Sequence, residues 1–184
     1  QRRDRAAVRD LMKACDSDVV PMRRKAVLEL GRIGRLKTAS TLIRMLKDPD
    51  EKIRILAILG LGWMQSKEAV PLLIELALSN DMPMRRRAVQ ALGQIGEPRA
   101  VMPLLGLLAD RDHFTRENAI LSLGWLKAKD AVPELLKIVT TFDRQDAQQR
   151  GLMISAIRAL GHIGDPSVTV VLQQAGDDAK DFPV

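Results

Sequence analysis

The chain has 184 residues, of which 46% are apolar and 28% charged, a balance that supports a folded core and excludes disordered, collagen-like and low-complexity classes. Aromatics make up only 3%, with no Tyr, and the single cysteine, Cys15, excludes a disulfide framework and any multi-cysteine metal site, so a reducing, cytoplasmic setting is expected. The formal charge of +6 sits at one end: residues 1–37 hold eleven Lys/Arg against five Asp/Glu and residues 38–184 eighteen of each, which implies one basic pole rather than a uniformly basic surface.

In chain order, Asp4 to Cys15 reads as a lone amphipathic helix. Five segments then align without gaps: AVLELGRIG from Ala26, AILGLGWMQ from Ala57, AVQALGQIG from Ala88, AILSLGWLK from Ala119 and AIRALGHIG from Ala156. Their Leu-Gly pairs recur at Gly31, Gly62, Gly93, Gly124 and Gly161, three spacings of 31 residues and a last one of 37. The six extra residues lie in the polar stretch 141–150 and read as a longer loop. Each repeat carries two patterns of helical period. The helix ending in Leu-Gly buries one stripe, as in Ala88, Val89, Leu92 and Ile95, with Asp50, Asp81 and Asp112 as N-caps. The other begins near Ala69-Val70-Pro71, Ala100-Val101-Met102-Pro103 or Ala131-Val132-Pro133 and buries Leu42, Leu73, Leu104, Leu135 and Leu172. No strand alternation or phosphate loop interrupts the scheme, and no apolar run approaches the ~18 residues of a membrane span. The expectation is an all-α solenoid of stacked antiparallel helix pairs, a right-handed superhelix of eleven helices over residues 1–176, with 177–184 a flexible tail. The chain starts with Gln and begins and ends on the first helix of a pair, so it is expected to be a fragment of a longer protein.

The pattern Asp-x-x-Val/Ile-Arg-x-x-Ala-hydrophobic-x-x-Leu-Gly-x-Ile-Gly, followed by Ala-Val-Pro-x-Leu-Leu, resembles the short HEAT-like repeat of the phycobilin-lyase type from about residue 18 to 175. The resemblance implies protein binding along an inner, concave surface lined by the Leu-Gly helices, and less often nucleic-acid binding, bilin attachment or metal-dependent hydroxylation.

Comparing the repeats with one another separates scaffold from free positions. Arg23, Arg54, Arg85 and Arg116 share one position and read as rungs of an Asp/Arg ladder between repeats. The variable positions of the Leu-Gly helices alternate. The first, third and fifth repeats are polar and basic: Arg24, Lys25, Leu28 and Arg32; Arg86, Arg87, Gln90 and Gln94; Ile154, Ser155, Arg158 and His162. The second and fourth are apolar and aromatic: Ile55, Leu56, Leu59 and Trp63; Glu117, Asn118, Leu121 and Trp125. Each Trp either fills a gap beside the helix exit or, as its row-mates Arg32, Gln94 and His162 suggest, stands exposed as an anchor.

Catalytic inventory is thin. His113 and His162 are the only histidines, the His-Glu pairs of a di-iron site are absent, no cofactor motif is present, and Cys15 lies on an apolar face. The reading is a protein-interaction scaffold, not an enzyme, that takes an amphipathic, acidic partner on its Trp/Leu and Arg patches. The alternative is nucleic acid, with Arg24, Arg32, Arg86 and Arg87 on phosphates and Trp63 and Trp125 stacking bases, and a further one is a bilin-lyase-like or other enzyme subunit.

Overall fold

The computed structural model describes residues 2–141, 143, 145–164 and 169. Among the described residues there are ten α-helices and no strand: α1 (Arg2–Ala14), α2 (Val20–Ile33), α3 (Ala39–Met45), α4 (Glu51–Trp63), α5 (Val70–Ala77), α6 (Met82–Ile95), α7 (Val101–Gly106), α8 (His113–Trp125), α9 (Val132–Thr141) and α10 (Ala147–Ile163). The eleventh expected helix, around Leu172, and the tail 177–184 lie outside the described residues. Contacts gather the chain into two compact bodies that meet in sequence between Ile95 and Gly96. In the N-terminal body the Leu-Gly helices α2, α4 and α6 pack in sequence order, with α1 on α2, α3 on α4 and α5 on α6. In the C-terminal body α8 packs on α10, with α7 on α8 and α9 on α10.

The periodicity lands where the residues demand. Leu42, Leu73, Leu104 and Leu135 are completely buried, as are Leu30, Leu61, Leu92 and Leu123 of the Leu-Gly helices. Asp50, Asp81 and Asp112 accept from the backbone N–H groups of Ile53, Met84 and Thr115 at 3.0, 3.2 and 2.9 Å, which satisfies amides left orphaned by the first helical turn. A 3₁₀ turn leads into each short helix from α3 onward, and α7 decays into another at Leu107–Ala109. Gly106 stands there where α5 has Glu75 and α9 has Lys137, so a good helix former is replaced by a poor one.

Half of the six-residue insertion is helix rather than loop. α10 runs 17 residues against 13 in α8, and its N-cap Asp146 lies fifteen residues before Gly161, where Asp112 lies twelve before Gly124. Asp146 bonds the N–H groups of Gln148 and Gln149, so the cap moved with the added turn.

Adjacent Leu-Gly helices touch through backbone. A Cβ on Gly31 would lie 2.8 Å from Gly60 Cα, one on Gly62 would lie 3.2 Å from Ala91 Cβ, and one on Gly124 would lie 2.8 Å from Ala159 Cα. Among the described residues Gly161 has no such neighbour within 4 Å. Gly31→Ala should therefore destabilise by about 1–3 kcal/mol despite the better helix propensity of Ala, whereas Gly161→Ala should be neutral or stabilising by up to about 1 kcal/mol. Urea denaturation of the two variants measures the contrast directly, and equal effects would remove the packing explanation.

Candidate functional site

The basic residues divide into those held by the scaffold and those left on a face. Arg23, Arg54, Arg85 and Arg116 each donate through Nη1 to the carbonyl six residues earlier, on Ser17, Asp48, Ser79 and Asp110, at 2.7–3.2 Å. The shared element is a bond that ties each helix to the loop before it. The expected Asp/Arg ladder between repeats is seen at two rungs: Arg23 pairs with the buried Asp48 at 2.9 Å, and Arg54 lies 4.0 Å from Asp81. Arg24, expected on the binding surface, instead forms a two-bond ion pair with the cap carboxylate of Asp50, at 3.1 and 2.6 Å. Its guanidinium, together with the Ile53 N–H, holds the Asp50 carboxyl down at about 2.

In the N-terminal body the remaining variable positions form an array on three adjacent helices. α2 contributes exposed Lys25, half-buried Leu28 and exposed Arg32; α4 contributes half-buried Leu56 and Leu59 and exposed Trp63; α6 contributes exposed Arg87 and half-buried Gln90 and Gln94. The Gly31 contact lays the Trp63 ring edge beside α2, with Cε3 3.6 Å from where a Gly31 Cβ would be, and Gln94 Oε1 rests on Gly62 from the other side. Trp63 remains 47% exposed, with the open depression beside it lined by Gly31, Arg32 and Gly34. The glycine part of this depression is invisible to a search for chemical groups, because glycine offers none. An apolar stripe, Leu56–Leu59–Trp63, thus runs between two polar-basic rows, with Arg86 half-buried beside the α6 row and Arg87 donating to Gln90 at 3.3 Å.

In the C-terminal body the stripe is Asn118, Leu121 and Trp125 on α8, with Trp125 44% exposed, beside exposed Arg158 and His162 on α10. Both indoles are therefore exposed rather than buried gap-fillers. Ser155, read as a free position, is buried and donates to Glu117 Oε1 at 3.1 Å. His113 opens α8 with its ring edge-on to Phe114 at 5.6 Å. Cys15 is buried, which pushes its thiol up to about 11 and leaves no thiolate for nucleophilic chemistry at neutral pH. Among the described residues no group of three His, Cys, Asp or Glu could hold a metal ion, and no helix is long and apolar enough to cross a membrane.

Helix pairs stacked by one repeating contact, with variable side chains in rows on the second helix of each pair, define a helical-repeat solenoid of the HEAT/armadillo type. HEAT repeats match residues 6–88 and 78–154, and the chain belongs to that family. Three solved structures share the fold. The complex of CpcE and CpcF of phycocyanin lyase from Nostoc sp. PCC7120 is 22% identical, with a TM-score of 0.70 over 89% of this chain and 68% of that one. A designed armadillo repeat protein is 16% identical, TM-score 0.61, over 95% and 92% of the two chains. An engineered protein is 19% identical, TM-score 0.59, over 93% and 85%. No curated protein matches.

Two outcomes follow from these positions. Trp63→Ala and Trp125→Ala should each cost no more than about 1 kcal/mol, against roughly 3–5 for a buried Trp, and iodide should quench both indoles in the free protein. Asp50 titrates near 2 in the fold and near 3.8 without its partners, so its contribution is complete above about pH 4 and disappears as pH falls to about 2. Asp50→Asn should flatten the acid limb of stability in that window and leave its shape above pH 5 unchanged, as followed by acid titration of helicity.

Proposed function

We propose that the chain is a protein-interaction scaffold and not an enzyme, taking a partner segment with an apolar ridge and acidic neighbours on the faces that carry Trp63 and Trp125. The observation that carries this reading is the apolar stripe of α4, half-buried Leu56 and Leu59 with exposed Trp63, set between two polar-basic rows. Contiguous apolar surface of this kind on a folded protein serves as an interaction site, and large aromatics with Arg concentrate interface energy. The fold supports the reading in kind, since the helical repeat offers rows of surface side chains to a partner. A phycocyanin lyase complex shares the fold at 22% identity, which carries fold and no chemistry.

Nucleic acid is the second reading, favoured by one observation: residues 1–95 hold nineteen Lys/Arg against eleven Asp/Glu, a net +8, while residues 96–184 hold ten against twelve, a net −2. Against it, Arg23 and Arg24 are paired to carboxylates, Arg54 and Arg116 are bonded to carbonyls, and Leu56 and Leu59 make a poor phosphate track. The two readings separate by salt. Binding of single- or double-stranded nucleic acid by the protein should be weak at 150 mM salt; tight, sequence-independent binding there, rising by orders of magnitude at 50 mM, is the outcome that overturns the scaffold reading.

A further inference from the structure

We infer that the α2–α4–α6 face takes an amphipathic α-helix whose apolar stripe is edged by carboxylates on the side lying over α2, and that Arg32 reads that acidic edge. This deepens the reading of the face as a protein-binding surface and rests on it.

The occupant follows from the shape of the stripe. Leu56, Leu59 and Trp63 stand at i, i+3 and i+7 on α4 and run about 10 Å along its axis at 1.5 Å per residue. A helix lying along α4 presents a matching stripe of its own over two turns and covers all three residues. An extended segment crossing the three helices meets only one of them.

Both edges of the stripe carry cations. On the α2 side Lys25 and Arg32 are both exposed, and Arg32, with its side chain 66% exposed, approaches Glu29 only to 3.7 Å, too long for a hydrogen bond. On the α6 side exposed Arg87 donates to the neutral Gln90 amide and keeps its charge, with half-buried Arg86 beside it, and Gln94 offers an amide. What sets the α2 edge apart is the hollow beside Trp63. Arg32 also rims the depression whose other members are Gly31, Gly34 and Trp63. An apolar side chain seated there against the indole brings a carboxylate one turn away within reach of the guanidinium. The partner helix and the indole then shield that ion pair from water, and the flat guanidinium fork can bind the carboxylate through two parallel bonds.

The test uses a phage-displayed library of helix-forming peptides, randomised on one face and selected against the full chain, with the best binder measured by fluorescence anisotropy. Selected peptides should carry Asp or Glu along one edge of an apolar stripe. Arg32→Glu should weaken the best binder at least about tenfold, Arg32→Gln less, and exchanging the acidic edge of the peptide for Lys should restore binding to Arg32→Glu. Thermal melts confirm that both variants fold, as the exposure of Arg32 leads one to expect. Peptides that lose binding with Trp63→Ala but are indifferent to Arg32→Glu overturn the role of Arg32 and leave the face intact. If no selected peptide depends on Trp63, the inference and the reading beneath it fall together.

Discussion

Backbone contact between neighbouring Leu-Gly helices is the constraint on which the rest of each body depends. At Gly31 against Gly60, Gly62 against Ala91 and Gly124 against Ala159, an added Cβ would meet atoms at 2.8–3.2 Å. Helices this close must cross at one fixed register, because the small residues have to coincide. Equal repeat positions on α2, α4 and α6 are then brought side by side, and the exposed residues fall into rows. The caps and the Arg-to-carbonyl bonds stabilise individual turns; the glycine contacts decide which side chains become neighbours.

That constraint was half legible. The invariant glycine of each repeat stands out, but its partner position, two residues earlier in the next repeat, is filled by Gly60, Ala91 and Ala159 in the pairs that touch within one body. Small size is the shared property there, and a comparison by residue identity passes over it. The buried leucine rows and Asp caps were legible because each rests on local chemistry within one helix. The partners of Arg23 and Arg24 were not, since they depend on which of two nearby aspartates, Asp48 or Asp50, the packing turns toward the preceding helix. The row-mates of both tryptophans pointed toward exposure without deciding it against gap-filling, whereas the glycine floor beside Trp63 had no side chain to announce it. The polarity of residues 141–150 concealed that three of the six added residues extend a helix.

The helix exits show how one backbone conformation survives a change of residue. All five repeats leave the Leu-Gly helix through a left-handed residue: Gly34, Gly96 and Gly164 at φ 63–73°, but Gln65 and Lys127 at φ 51° in the two repeats that carry Trp. In these two the bonds of Ser66 N–H to Leu61 and Ala128 N–H to Leu123 complete a six-residue closure that offsets the steric cost of a side chain there. Gln65 adds a bond from its amide to the Gln94 carbonyl at 3.0 Å, so the exit beside Trp63 is tied to the end of α6.

The depression beside Trp63 has a floor that varies only at a cost. Gly31 is fixed by the backbone of α4 and cannot gain a side chain without loss of the helix packing, while Gly34 has room for one at the cost of the left-handed strain that Gln65 and Lys127 bear at the same position. Variation in recognition is thereby channelled into the rim and wall, Arg32 and Trp63, whose side chains face solvent. A lineage of such repeats can exchange partners by substitution at two surface positions while the hollow itself is inherited unchanged with the fold.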